Sequence, residues 1–285
     1  MGHAREQVSP RMQSGLSERY SPKGGYFHLS TRPLHVLCFL LPLIVLYEIG
    51  SAMYLSGRAP GAAETIRAYR LLSGFFTWFG VSGLYLPGVL LVVILAVWHV
   101  LTGDKTRVRL SVLGWMLIEA IAWTLPLLVL GQMIFRAMHH PAPPPAAEMM
   151  GGAGGPSILA AFAAGDPLAS LSKPARATVA IGAGLYEELL FRMVAIALIH
   201  IVACDLLKMK DYPARVVAVV LSAVAFALYH DVGLAGGLGG IDFQKLVTFL
   251  FAGLYFGALY AARGFGIVVA THALYDLAVL VLLPG

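Results

Sequence analysis

A helix needs about 20 predominantly apolar residues to cross a hydrocarbon layer of roughly 30 Å, and this chain supplies such stretches repeatedly. They lie at 34 to 55, 84 to 101, 110 to 135, 176 to 204, 213 to 230, 246 to 262 and 265 to 283. The run from Leu71 to Val81 is apolar but short, and it follows Arg67 and Arg70. It reads as an interfacial or re-entrant helix, or as a further span if the boundaries move. Only 12% of the residues are charged and 59% are hydrophobic, whereas about a quarter of an ordinary soluble domain is charged. So few charges cannot cover a water-facing surface, which excludes a soluble globular protein and turns the surplus apolar surface toward lipid. The expected fold is all-α, a polytopic transmembrane bundle of about seven to eight spans.

The organisation follows from the punctuation. Residues 1–33 are polar, carry Arg5, Arg11, Arg19, Lys23 and Arg32, and lack the apolar core and cleavage site of a secretory signal. They read as a mostly irregular cytoplasmic arm, and the start MGHARE lacks the hydroxyl residue of a myristoylation site. Transmembrane helices fill 34–140. A Pro- and Gly-rich loop follows over 141–173, with PAPPPAAEMMGGAGGP at its centre, and a second transmembrane core occupies 174–285. No fixed-period repeat is visible.

A net charge of +5 and a pI near 9.2 raise the question of nucleic acid. The bases, however, sit at the ends of apolar runs without interleaved aromatics, so a nucleic-acid partner is not expected and membrane topology is. With the amino terminus inside, the arm, Lys105, Arg107, Arg109, Lys208, Lys210, Arg215 and Arg263 share the inner side, as the positive-inside rule prefers. Cys38 and Cys204 both lie in apolar runs, which speaks against a disulfide framework or a thiolate metal cluster.

The run GLYEELLFRM places Glu187, Glu188 and Arg192 inside a span. Unpaired, three such charges oppose insertion by on the order of 10 kcal/mol, so pairing, protonation or an aqueous cavity must offset them. Glu188 and Arg192 are four apart and stack on one helix face. Glu187 is rotated about 100° from Glu188, free to meet a cavity while Arg192 holds its neighbour ionised. Two carboxyls in different environments are a route to acid and base chemistry near neutral pH. A buried ion pair that merely fixed packing would need one acid, not two.

Two further spans carry chemistry. FALYH puts Phe226 and His230 on one face, with a Gly-rich run closing the helix just after, and THALYD puts His272 and Asp276 on one face. His35, His99 and His200 read as interhelical hydrogen-bonding residues, and Glu48 and Glu119 as packing or interfacial ones. The cluster contains what hydrolysis needs: a carboxylate base, and imidazoles to orient water or stabilise an oxyanion. Glu187 and His272 lie well inside their spans and His230 near the end of its own. They can meet only if the helix of His230 stops within the membrane or if the spans tilt.

EELLFR, FALYH and HALYD fit EExxxR, FxxxH and Hxxx(N/D) in order. The chain thereby resembles the CPBP family of CAAX proteases and bacteriocin-processing (Abi) membrane proteins over roughly residues 175–285. The resemblance implies an all-helical, multi-pass intramembrane endopeptidase of a bacterial cell membrane. It would hydrolyse a peptide bond of a membrane-associated protein or peptide, CAAX-like prenylated proteins among them. Glu187 with His230 would activate water, His272 and Asp276 would stabilise the oxyanion, and Glu188, Arg192 and Phe226 would support the site. Family members are described both as metal-free glutamate peptidases and as metalloproteases, so the cofactor is either none or a divalent metal such as zinc, held by Glu187, His230 and His272. Asp276 stands where many relatives carry Asn, and Met193 where a small Gly is common. An ionised Asp276 repels an oxyanion, so it would be protonated, orient His272 or ligate a metal. The rival readings are a non-catalytic immunity or partner protein on the same scaffold, and a proton-coupled transporter. The transporter lacks paired broken helices in matching halves.

Overall fold

The computed structural model describes residues 25–55, 71, 72, 74, 77, 86–103, 106–138, 168, 171–230 and 240–282. Most of the arm, most of the Leu71–Val81 run, the Pro141–Pro156 segment and the Gly-rich run after His230 lie outside the described residues. The rest is helical: α1 (Tyr26–Leu29), α2 (Pro33–Gly50, continued by a wide turn over Ser51–Leu55), α3 (Leu86–Thr102), α4 (Leu110–Met138), α5 (Lys173–Glu188), α6 (Asp211–Tyr229), α7 (Phe243–Arg263) and α8 (Phe265–Leu277). The rod that begins with α5 runs on through a π-type turn at Leu189–Ala195, a helical turn at Ile196–Ile201 and a second π-type turn at Val202–Leu206.

Among the described residues six helices are long and apolar enough to cross a membrane: Pro33–Leu55, Leu110–Ile134, Lys173–Leu206, Asp211–Tyr229, Phe243–Arg263 and Phe265–Leu282. They realise six of the expected windows in an all-α bundle. The window at 84–101 becomes α3, whose 17 residues reach only about 25 Å at 1.5 Å per residue. Pro87 lies in the first turn of its described part. The arm is also not irregular to its end. Around Tyr26–Leu29 it forms a short helix whose Leu29 is buried.

The helices begin and end where their residues dictate. Pro33 and Pro174 occupy the first turns of α2 and α5, where the missing N–H costs nothing. Asp242 caps α7 by accepting from the Lys245 backbone N–H at 3.0 Å. Between α7 and α8 the chain turns on Gly264 alone, at φ +78°, a conformation open to glycine. α8 is the central helix, packed chiefly against α5 and α4, while α6 lies against α7 and α2 against α3 and α5.

The amino-terminal end of the bundle is clasped by polar contacts. Glu119 on α4 accepts hydrogen bonds from both Arg263, at the end of α7, and Tyr26 on α1. Arg263 also donates to Ser30 Oγ at 3.1 Å, and Trp123 donates to Glu119 at 3.2 Å. Burial and the Glu119 carboxylate push the Tyr26 hydroxyl above its ordinary range, which keeps it a donor. The start of α2 and the approach to α4 meet where the Arg109 backbone N–H points at His35 Nε2, 3.4 Å away.

Candidate active site

Hairpin register brings the three motifs together. Nineteen residues separate Glu187 from Leu206 on the descending arm, and nineteen separate Asp211 from His230 on the returning one. His230 at the end of α6 therefore lies level with Glu187 in the middle of the 34-residue rod Lys173–Leu206. The depth conflict read from the sequence disappears because the two helices differ in length. His230 caps α6 in an extended conformation at ψ 154°. Its Nδ1–H donates to the Phe226 carbonyl at 2.8 Å, which turns Nε2 toward Glu187.

Close packing brings α8 to the same level. A Cβ on Gly184 would stand 2.7 Å from the Ala273 backbone nitrogen and 2.9 Å from the Val269 carbonyl oxygen, so only glycine admits this approach of α5 and α8. One turn beyond Gly184, Glu188 Oε1 accepts from His272 Nδ1–H at 2.7 Å. Its other oxygen faces Arg192 Nε at 3.1 Å, with both side chains wholly buried. Arg192 lies inside the π-type turn Leu189–Ala195, and such widened turns often accompany functional sites. Its guanidinium donates to the Gly253 carbonyl at 3.3 Å and lies 4.4 Å from the centre of the Phe226 ring. That cation–π contact gives the Phe of FxxxH a physical role.

Glu187 has no such partners. It is buried, and its Oε2 finds no hydrogen-bond partner among the described residues. His230 Nε2 lies 3.7 Å from it and His272 Nε2 4.0 Å, with Asp276 Oδ2 3.5 Å from the same His272 nitrogen. These gaps exceed a direct hydrogen bond and suit a bridging water. Glu187, His230 and His272 are the side chains to which the resemblance would assign a divalent cation, but their donor atoms do not all fall within 4.8 Å of one another. The tightest gathering of metal-type donors among the described residues is elsewhere, at His200, Cys204 and Asp211.

The sequence reading of the site left out α7. Phe249 stacks on the His230 ring at 4.0 Å and 19°, and Phe256 on the His272 ring at 4.5 Å and 18°. Gly253 between them accepts from Arg192, and a Cβ there would press on the Ala223 backbone at 3.0 Å. The available signal was the seven-residue spacing of the two aromatics, which places them on one helix face. Glu48, on the sequence a packing or interfacial residue, lies near the site. It accepts from the Tyr186 hydroxyl at 3.2 Å, one residue from Glu187, while its Oε2 is buried without a hydrogen-bond partner among the described residues.

Six apolar spans around a buried carboxylate and imidazole cluster define a polytopic membrane protein with a polar site at mid-depth. Over residues 169–278, the stretch that contains all three motifs, the chain matches the model of a family described as type II CAAX prenyl endopeptidase Rce1-like. That match supports a CAAX-type intramembrane protease. No curated protein and no solved structure matches the chain.

Proposed function

We propose that the protein is an endopeptidase that uses a water held between Glu187 and His230 to cleave a membrane-associated protein or peptide, in the bacterial plasma membrane that the resemblance implies. The observation that carries this reading is the Glu187 oxygen, buried and without a hydrogen bond among the described residues, between two imidazole nitrogens at 3.7 and 4.0 Å. In this reading Glu187 takes a proton from the water as its oxygen attacks the scissile carbonyl carbon. The same proton passes to the leaving amine as the peptide bond breaks. His230, its ring fixed by Phe226 and Phe249, holds the water in line.

His272 faces the oxyanion. With Nδ1–H given to Glu188, the ring presents Nε2–H to the developing negative charge when it carries both hydrogens, and Asp276 beside that nitrogen orients it. Glu188 and Arg192 hold His272 in place. A divalent cation, were one held by Glu187, His230 and His272, would supply polarisation of the carbonyl. An apolar cavity of about 370 Å³ between α2, α4 and α8 supports a lipidated substrate. Its walls include Ala273 and Leu277, the neighbours of His272 and Asp276.

The test is cleavage of a prenylated CAAX peptide by the protein in lipid nanodiscs, together with profiling of peptides that accumulate in cells carrying Glu187→Gln. Glu187→Gln is expected to lower turnover by about 10² to 10⁴, the range of a positioned general base, with an unchanged elution profile. Full turnover by Glu187→Gln would make the catalytic assignment wrong. Absence of both cleavage and accumulating peptides would favour the immunity or partner reading. Activity that survives a strong chelator would exclude a required metal.

A further inference from the structure

The α5–α6 hairpin reaches farther than the α7–α8 turn. His272 is eight residues from Gly264 along α8, about 12 Å, while Glu187 at the same level is nineteen residues from the end of its rod, about 28 Å. The tip of the hairpin thus extends about 15 Å past Gly264, into a zone marked by Asp205, Lys208, Lys210 and Asp211. Three donors converge there. Cys204 Sγ lies 3.6 Å from His200 Nε2, and that nitrogen lies 3.1 Å from Asp211 Oδ1. All three ligand atoms fall within 4.8 Å of one another.

The two separations that share the His200 nitrogen are close to those around a tetrahedral ion. With Zn–S near 2.3 Å and Zn–N and Zn–O near 2.1 Å, tetrahedral angles put sulfur about 3.6 Å from nitrogen, and nitrogen about 3.4 Å from oxygen. The local structure produces this. His200 and Cys204 are four apart on one helical rod, Lys208 at φ 54° reverses the chain, and Asp211 enters as the first residue of α6. Arg215 grips the Asp211 carboxylate at 2.9 and 3.2 Å, the kind of outer contact that orients a ligating carboxylate.

We propose that the tip of the α5–α6 hairpin is a binding site for a borderline-soft divalent cation of the zinc class, with His200 Nε2, Cys204 Sγ and Asp211 Oδ1 as ligands and water in the fourth position. One nitrogen, one sulfur and one oxygen select zinc-like ions over calcium or magnesium, which take oxygen ligands. Binding releases the Cys204 thiol proton to solvent and changes no oxidation state. The ion ties the end of the rod that bears Glu187 to the start of the helix that ends at His230, and the site stands independently of the peptidase reading.

The experiment uses the full chain in nanodiscs with Cys38→Ser, which leaves Cys204 as the one thiol. Its alkylation by a maleimide is timed with and without micromolar free zinc. Zinc is expected to slow the reaction at least about tenfold. His200→Ala and the near-isosteric Asp211→Asn should each weaken the protection by about tenfold or more, the lower end of what loss of an outer-shell partner alone costs a metal site. Glu187→Gln should retain it, which separates this site from any metal at mid-depth. Alkylation indifferent to zinc in the Cys38→Ser protein overturns the proposal, and so does protection that survives His200→Ala. The first of these readouts needs no variant at the site, so it decides even if His200→Ala or Asp211→Asn folds poorly.

Discussion

Among the described residues two Glu–Arg pairs lie inside apolar helices, and they differ in what they hold. Glu188 and Arg192 are wholly buried, one turn apart on a single helix, and their spare valences reach His272 and the Gly253 carbonyl. Glu119 and Arg263 are 144 residues apart in sequence and partly exposed, and their contacts reach Tyr26, Ser30 and Trp123. The first pair orients an imidazole beside a carboxylate that has no arginine of its own. The second closes the end of the bundle over α1. An intramembrane ion pair is thus not in itself a sign of chemistry. The informative group is the acid next to it, Glu187, which has no arginine partner among the described residues and faces two imidazoles instead.

The comparison breaks most visibly if one partner of the inner pair is removed. Arg192→Met leaves Glu188 buried without its cation, which is expected to cost about 3 to 5 kcal/mol, read as a fall in the midpoint of unfolding in mild detergent. Glu188→Leu combined with Arg192→Met should recover much of that stability, because well-packed apolar replacements of buried pairs are often neutral. Turnover should stay low in the double variant, since His272 has lost the acceptor for Nδ1–H. A double variant with full activity would reduce the inner pair to the same role as the outer one.

A smaller change tests whether the inner pair works through helix approach. Gly184→Ala puts a methyl against the Ala273 backbone at 2.7 Å, so α5 and α8 must part. The stability cost is expected at about 1 to 3 kcal/mol. Turnover should fall by about 100-fold, the effect of misplacing a reacting group by an ångström or so. The comparison is sharpened if kcat falls with KM little changed. An unaltered kcat would mean that the Glu188–His272 contact tolerates the movement.

How much of this could be read from the sequence depends on the range of the interaction. Glu188 with Arg192, Phe226 with His230, and His272 with Asp276 are each four apart, so helical periodicity exposes them directly, and the family resemblance orders them. That Glu187, His230 and His272 share one level needed the lengths of the rod Lys173–Leu206 and of α6, and boundaries are the weakest part of a pattern argument. Phe249 and Phe256 were invisible as site residues because aromatics on an apolar helix serve lipid and core equally well. Glu119 and Glu48 were seen as isolated acids, since their partners Arg263 and Tyr186 come from other helices. His200 was seen as a lone histidine because Asp211 joins it only once the chain has reversed at Lys208.

The outer pair supplies the smallest effect. Glu119→Gln keeps the shape of the side chain and one acceptor oxygen but removes the charge that faces Arg263. Arg263 keeps Ser30 as a partner and stands over the Phe27 ring at 4.5 Å, so it is not left stranded. The expected loss is therefore near 1 kcal/mol, between an exposed pair and a charged hydrogen bond, and it should shrink as salt is raised because the pair is partly open to solvent. α1 should loosen first, since Tyr26 donates to the same carboxylate. Faster proteolysis on the amino-terminal side of Pro33, measured on nanodisc-embedded protein, would report it. Turnover per folded molecule should not change, because none of these residues touches Glu187, His230 or His272. If Glu119→Gln instead lowers kcat as Gly184→Ala is expected to, the clasp and the site are coupled through α8, and the division between a structural pair and a site-forming pair fails.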